Sequence, residues 1–411
     1  MEKKIDLLQI LFQRISEDWP GIAPERFLGF IRPKITQSLS IERLPLILKS
    51  EKVLRVKFGV DPTGGQLHLG HVVPMILVEL FQKAGHHVDF IVGDFTAMVG
   101  DPSGRETARA VLTREKVNEN MRDFAEQAGR FVDIGKMEIH HNSSWLGKMS
   151  LSDTLGHLQK ISVTAAMQRD DFRKRAEKNQ TVSIAELIYG LLMGFDSLEL
   201  HTDIEIGGID QFLNIVQCRM LMENAGVVPE VGLFAPLIEG TDGTGRKMSK
   251  SLGNTIPVEA SLEDKFGKVM SIPDSLILPW FKAFTFIHED ELPELESFIS
   301  QQPLEAKKIL GILLIALETK DLGSGERERQ NFERKFSQKA INDDDCEKIQ
   351  AKEDLFLSLK QKFSSNSELR RLFEQNAVRT LDGALLTGKE SFTGIVRVGK
   401  RKIFKIQREL K

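Results

Sequence analysis

Two short runs in this chain carry residues suited to phosphate chemistry. One is His68-Leu69-Gly70-His71; about 180 positions later comes Lys247-Met248-Ser249-Lys250-Ser251. Either alone could arise by chance. In this order and at this separation they suit one reaction, the activation of a carboxylate by its attack on the α-phosphate of ATP. That step builds negative charge on phosphoryl oxygens while pyrophosphate departs. Its barrier is lowered mainly by positioning and by donors placed where the charge develops. Histidines three apart on a first helical turn project from a common face. Gly70 between them removes a side chain where adenine or ribose must approach the backbone. Lys247 and Lys250 are ammonium point charges suited to the departing pyrophosphate. The run Gly240-Thr241-Asp242-Gly243-Thr244-Gly245 gives them a loop able to close over it.

Elements of the right kind surround these residues. Val56–Val60 reads as a strand, Asp61-Pro62-Thr63-Gly64-Gly65 as a turn, and Gly70–Phe81 as an apolar helix. With the strand-like VDFIVGDF that follows, this is a βαβ unit, and histidines stand where a helix N-terminus would meet phosphate. The expected fold is therefore α/β, a Rossmann-like parallel-sheet catalytic domain over residues 51–255. Residues 1–50 read as a helical extension before it, and about 106–180 as a charged, helical insertion. Ser183–Leu192 reads as a helix, Leu198–Ile206 as a strand and Asp210–Glu223 as a helix. Helical periodicity dominates 256–340. The charged stretch Glu326–Glu347 is the linker candidate before a small α+β unit at 345–411.

Composition bounds the rest. A chain of 411 residues is long enough for two or three domains. Its net charge of -3 gives no global pull toward nucleic acid, so RNA affinity must come from local patches. Cys218 and Cys346 are too few for a disulfide framework or a cysteine metal site, which suits a reducing interior. No apolar run reaches the roughly 20 residues of a membrane span. The mixed-charge start argues against a secretory signal, so cytoplasm is the expected compartment.

Further features bear on a site. Gly93–Arg105 (GDFTAMVGDPSGR) and Gly207–Gln211 (GGIDQ) supply glycines and carboxylates, which repel phosphate but suit a ribose hydroxyl or an ammonium. Taken singly, each also reads as a Gly-Asp turn or a helix cap. Tyr189 is the only tyrosine, with Asp196 two turns on along the same side. The run Arg169–Arg175 reads as a solvated helix face or as a contact surface. Finally, Arg370 and Arg371 sit on a capped helix, and Arg397, Lys400, Arg401, Lys402, Lys405, Arg408 and Lys411 crowd the last fifteen positions. A basic cluster on a small α/β unit suits a phosphate backbone, and a solvated tail is the alternative.

With KFGVDPT, HLGH, GDFTAMVGDPSGR, RDDF, GGIDQ and KMSKSLGN in hand, the chain from about residue 50 to its end resembles the bacterial tyrosyl-tRNA synthetases, a class I family. The resemblance implies that His68, His71, Thr63, Lys247 and Lys250 stabilise the ATP phosphates, with Arg105 and Arg109 reaching pyrophosphate. It implies that Gly59, Asp61, Gly70, Gly208 and Asp210, together with Met248, Ser249 and Ser251, surround the nucleotide. Asp101, Tyr189 and Gln211 match contacts to the amino acid's ammonium and carboxylate, and Asp196 matches the acceptor for its phenol. A pocket built around that hydroxyl rejects phenylalanine, tyrosyl-tRNA synthetases being themselves the standard example of the effect. Arg370, Arg371, Lys400, Arg401 and Lys402 would contact RNA.

The same resemblance implies ATP as substrate, with Mg2+ carried by the nucleotide and no protein-held metal. It implies L-tyrosine and tRNA(Tyr) as partners, a homodimer built through the 106–180 insertion, and a helical 256–340 region at the anticodon arm. There are departures from the family pattern. Met193 stands where glutamine usually touches the amino group, and a thioether cannot replace an amide. Lys57 stands where the better-known branch has a tyrosine at the phenol, and Phe195 and Ile209 are apolar at often polar positions. Two alternatives follow: a paralogue that activates tyrosine or an analogue without the main charging role, or an RNA-binding protein that has kept the fold without catalysis.

Overall fold

The computed structural model describes residues 2–50, 52–62, 64, 66–102, 113–159, 170–178, 181–249, 252–336, 346–363, 365–381, 383–399 and 402–408. Thr63, Arg105, Arg109, Lys250, Ser251, Lys400 and Arg401 lie outside these residues.

Short apolar runs build a six-stranded sheet from β1 (Gln37–Leu39), β2 (Arg55–Val60), β3 (His87–Val92), β4 (Met137–His141), β5 (Ile204–Gly208) and β6 (Val231–Ala235). The spatial order is β1-β6-β5-β2-β3-β4. Strands β2 to β6 are parallel, and β1 closes one edge antiparallel to β6. From β2 the chain builds outward through β3 and β4, then returns to lay β5 and β6 on the other side. A crevice at the carboxyl ends of β2 and β5 is where such a sheet takes a ligand. The expected βαβ unit is present, with the helix Leu69–Lys83 joining β2 to β3.

The strand register sets up an unusual row. Glu138 pairs with Asp89, Asp89 with Lys57, and Lys57 with Glu205, so four ionisable side chains cross four adjacent strands. Partners in register share a face of the sheet, which places this row on one side of it.

Several elements differ from the sequence reading. The insertion is not wholly helical: Met137–His141, too polar to stand out as a strand, becomes the edge strand β4. Residues 1–50 add β1 to their helices. The segment read as a strand from Leu198 is helical to Glu199, because a capping box between Ser183 and Glu186 starts a 16-residue helix, Ile184–Glu199. His201, at φ 50, then turns the chain into β5. The linker candidate is helical through Phe336; Arg329 pairs with Glu326 and Glu333 at helical spacing, which supports an exposed helix. In the Arg169–Arg175 run, Phe172 is buried, and Arg175 is buried against Glu186 at 2.8 Å, so these two belong to the interior.

The chain divides into two compact units, residues 1–325 and 326–411. In the first, the helices Leu262–Met270, Ile277–Phe284, Leu292–Gln301 and Pro303–Thr319 share a core with the N-terminal segment. Leu8, Leu11 and Ile15 bury one face of the helix Glu2–Ser16. Arg14 grips Glu291 with two hydrogen bonds of 2.7 and 2.6 Å. Lys34 is fully buried, donating to the carbonyls of Lys282 and Thr285, and burial pushes its ammonium down to about 7.

The second unit is a four-stranded sheet of β7 (Glu347–Gln350), β8 (Val378–Thr380), β9 (Gly394–Val398) and β10 (Lys402–Gln407), ordered β7-β10-β9-β8. The helices Leu355–Lys360 and Asn366–Glu374 complete it around Ile349, Leu359, Leu369, Val396 and Phe404. Arg370, Arg371 and Lys402 are exposed on this unit. Among the described residues, no helix is long and apolar enough to cross a membrane.

Candidate active site

The first turn of the Leu69–Lys83 helix shows why the two histidines come as a pair. His68 is the N-cap, in extended conformation, and its Nδ1 accepts from Gly70 N at 3.1 Å. His71 Nδ1 accepts from His68 N at 3.2 Å, and the ring centroids are 3.9 Å apart. Each ring thus caps the helix with Nδ1, so in a neutral imidazole the hydrogen resides on Nε2, a donor at the helix terminus that favours anions. A Cβ on residue 70 would lie 2.9 Å from the His68 ring. Glycine there makes room for the imidazole, a reason additional to the close nucleotide approach expected from the sequence.

The distant lysine run is brought to this turn. His68 bridges Pro257, and Leu69 N donates to Ile256 O at 3.0 Å. Met248 N donates to Ile238 O, Lys247 bridges Glu239, and Ser249 N donates to Asn254 Oδ1 at 2.8 Å. Gly243 and Gly245, at φ +68 and +74, turn the preceding loop, where positive φ favours glycine.

A cleft of about 740 Å³ lies between these runs at the carboxyl ends of β2 and β5. Lys57, Gly59, Asp61, His68, Gly70, His71, Asp101, Tyr189, Met193, Asp196, Gly208, Asp210, Gln211, Lys247, Met248 and Ser249 all line it. Every described residue expected in the nucleotide and amino-acid sites is therefore in one place.

Within the cleft, carboxylates are held by neighbours. Asp61 accepts from Thr96 Oγ1 at 2.7 Å and from Tyr189 Oη at 2.8 Å. Burial, then the charge of Asp61, pushes the Tyr189 hydroxyl well above its ordinary value, so it stays protonated as the donor. A Cβ at Gly93 would sit 2.0 Å from Asp61 Oδ1, so that glycine admits the carboxylate. Asp101 accepts from Gln211 Nε2 at 2.8 Å and Asn214 Nδ2 at 3.1 Å. Burial raises Asp210, against the lowering pull of Lys247.

At the deep end, Asp196 is 3% exposed, and burial pushes its carboxyl up to about 7 despite the nearby Lys57 charge. It accepts from Trp145 Nε1 at 2.7 Å and from Asn142 Nδ2 at 3.4 Å. Neither residue was singled out from the sequence. Lys57 is buried, and its ammonium donates to Met193 O at 3.0 Å and Ser197 Oγ at 2.5 Å, and pairs with Glu205 at 2.9 Å. Burial alone would lower this ammonium, but Glu205 and Glu230 outweigh it and raise it. Three hydrogen-bonding partners account for its three N–H groups. Met193 places a thioether at the cleft wall, while its carbonyl serves Lys57.

The arrangement defines a class of protein. The family described as tRNA synthetases class I (W and Y) matches residues 49–326, and the chain belongs to that family. Among similar proteins, the tyrosine–tRNA ligase of Symbiobacterium thermophilum is 38% identical over 377 residues, 88% of this chain and 91% of the relative. That of Thermotoga maritima is 35% identical over 397 residues, 94% and 98% of the two chains. In fold, the chain is similar to a C-terminally truncated mitochondrial tyrosyl-tRNA synthetase of Coccidioides posadasii, with a TM-score of 0.59 at 21% identity over 80% of this chain and 96% of that one. It is likewise similar to the Archaeoglobus fulgidus tyrosyl-tRNA synthetase solved with L-tyrosine, with a TM-score of 0.58 at 21% identity, covering 74% and 99%.

Proposed function

We infer that the chain is a tyrosine–tRNA ligase in which the 740 Å³ cleft holds both substrates of the first step. The tyrosine carboxylate attacks the ATP α-phosphorus; the bond to the β-phosphate bridging oxygen breaks, and pyrophosphate leaves with the electron pair. The 3′-terminal hydroxyl of tRNA(Tyr) then attacks the adenylate carbonyl, loses its proton, and releases AMP.

The observation that carries this reading is the convergence of His68, His71 and Lys247 with Tyr189 and Asp196 on one cleft. The imidazole Nε2–H groups and the Lys247 ammonium serve the phosphates where charge develops. Thr63, Lys250, Ser251, Arg105 and Arg109 join them by the family resemblance. Gly59, Asp61, Gly208 and Asp210, with Met248 and Ser249, surround adenine and ribose. The ammonium is received by Asp101, held in place by Gln211 and Asn214, and by the Tyr189 hydroxyl oxygen. The phenol donates to Asp196, which Trp145 and Asn142 orient. Lys57, also at the cleft wall, supports this end of the tyrosine site through Ser197 and the Met193 carbonyl.

Asp61 and Asp101 are already engaged by Thr96, Tyr189, Gln211 and Asn214, which suits Mg2+ that enters on the ATP phosphates. Arg370, Arg371 and Lys402, joined by Lys400 and Arg401 through the family resemblance, form the RNA-binding face of the small unit, and the 256–340 region serves the anticodon arm. Exposed Leu151 and Leu155 suit a homodimer contact through the insertion. The compartment we assign is the cytoplasm.

The decisive experiment is ATP–pyrophosphate exchange with each of the twenty amino acids, followed by charging of tRNA. Tyrosine alone should support exchange, and charging should follow. Met193 favours the paralogue reading to one extent only: exchange with tyrosine but no charging would establish it. Failure of exchange with every amino acid would leave an RNA-binding protein.

A further inference from the structure

We propose that the outer end of the ionisable row across the sheet is a binding site for a borderline divalent transition ion of the Zn2+ class, held by His87, Asp89 and Glu138. His87 Nε2 lies 3.2 Å from Asp89 Oδ1 and 3.1 Å from Glu138 Oε2, and one donor atom from each of the three residues falls within 4.8 Å of the others. Zinc bonds of about 2.0–2.2 Å in tetrahedral geometry place neighbouring donors roughly 3.3–3.5 Å apart, so the two separations from His87 already fall within a few tenths of an ångström of what the ion needs. One imidazole with carboxylates is a donor set suited to Zn2+, Co2+ or Ni2+ more than to Mg2+ or Ca2+, which prefer oxygen alone.

The backbone explains the convergence. Asp89 and Glu138 are register partners on β3 and β4, and His87 precedes Asp89 by two residues, so all three share a face. The sheet ends at β4, leaving the Glu138 side chain 55% exposed and His87 34% exposed, an open route for an ion. Asp89 is fully buried and immobilised. Arg55 Nε donates to its Oδ2 at 3.0 Å and Arg55 Nη2 to its Oδ1 at 2.5 Å, and His140 Nε2 lies 2.9 Å from that Oδ1. Outer contacts of this kind orient metal-binding carboxylates. With neutral imidazoles the cluster carries two carboxylates against one guanidinium, a net charge of -1, which a divalent ion reverses without leaving an unpaired buried charge. The site stands apart from the nucleotide cleft, whose lining includes none of these residues. Its bound ion would staple edge strand β4 just before Asn142 and Trp145, the two residues that orient Asp196.

The test is titration of the untagged, chelator-treated full chain with Co2+ alone, read by visible absorption, and with Zn2+ alone, read by calorimetry and by thermal unfolding. One equivalent of Co2+ should produce the intense visible bands of a low-symmetry four- or five-coordinate site, and Zn2+ should displace it and raise the unfolding temperature. Both His87→Ala and Glu138→Gln, at exposed positions, should weaken binding about tenfold or more while leaving ATP–pyrophosphate exchange in metal-free-chain, magnesium-supplied assays unchanged. Absence of saturable one-to-one binding overturns the proposal. So does a Co2+ spectrum that survives in both variants, which would locate the ion elsewhere, for example at His68 and His71. A retained spectrum in His68→Ala supports the assignment.

Discussion

Trp145 Nε1 donates to Asp196 Oδ1 at 2.7 Å, joining a turn after edge strand β4 to the last turn of the Ile184–Glu199 helix, 51 residues further along the chain. The bond fixes the carboxylate at the deep end of the cleft with an N–H that a substrate hydroxyl does not have to compete for, since the second oxygen faces Asn142 at a longer 3.4 Å.

Loss of that indole donor should therefore loosen specificity before it harms catalysis. Trp145→Phe keeps the ring and removes the N–H. The tyrosine-over-phenylalanine ratio of kcat/KM is expected to fall by about tenfold, the worth of one hydrogen bond to a charged group. Asp196→Ala should reduce it further. An unchanged ratio in both variants would move the phenol contact away from Asp196.

The raised carboxyl of Asp196 makes a pH prediction. Burial pushes it up to about 7, so the ligand-free chain loses the carboxylate as pH falls through neutrality. The phenol then meets an acid that no longer accepts as strongly, and KM for tyrosine should rise on the acidic side. The stability linkage runs the opposite way. A folded value above the ordinary carboxyl value gives a contribution fully present at low pH and lost as pH rises through about 7. Asp196→Asn should flatten both profiles; a KM profile in the parent that is flat across neutrality would contradict the assignment.

Lys57 supports a different kind of prediction, about folding. Its ammonium and Glu205 are both buried, 2.9 Å apart, and burial with Glu205 beside it raises the Glu230 carboxyl well above its ordinary value. Removing one member of a buried pair strands the other charge, at a cost of about 3–5 kcal/mol. Lys57→Met should lower unfolding free energy in urea by that order, and Lys57→Met with Glu205→Gln should recover most of it. Equal stability of the parent and the single variant would mean that the pair is not ionised as described.

Much of the site was legible because its chemistry is local. His68, Gly70 and His71 fall within one helical turn, and their types and spacing mark a helix start near phosphate. Lys247 was legible as a charge, although its delivery to that turn depends on the Leu69–Ile256 and His68–Pro257 backbone pairing, which no local pattern reports. Asn142 and Trp145 were not legible. Their function exists only because polar Met137–His141 joins the sheet as β4, a pairing set by long-range register. Lys57 lines the cleft as expected, but its buried pairing with Glu205, set by strand register, is something no local pattern reports. Gly70 has a second reason that the sequence did not show, the space taken by the His68 ring.

The phosphate end can be separated from the amino-acid end by substitution. His71→Ala removes a ring that both caps the helix and supplies a donor, while Lys247→Ala removes only a charge. Transition-state donors of this kind are worth roughly 3–4 kcal/mol. Each variant should lose about two to three orders of magnitude in exchange rate with tyrosine affinity, measured by calorimetry, nearly unchanged. Rates within a few-fold of the parent in both would remove these residues from the adenylation step.

The two-unit architecture makes the last prediction separable from all of these. Residues 1–325 contain the whole described cleft, and residues 326–411 have their own sheet, helices and core. A chain ending after Gly325 should therefore catalyse ATP–pyrophosphate exchange with tyrosine at close to the parent rate. The second unit carries exposed Arg370, Arg371 and Lys402, with Lys402 Nζ lying 4.3 Å over the Phe363 ring. Cations held this way on a small fold suit a phosphate backbone, and each contact releases counterions, so tRNA affinity should fall steeply with salt. Truncation should abolish or greatly slow charging. In the full chain, Arg370→Ala with Arg371→Ala should weaken tRNA binding and flatten its salt dependence by about two counterion equivalents, leaving exchange untouched. Normal charging by the truncated chain would take tRNA binding out of the second unit and assign it to the first.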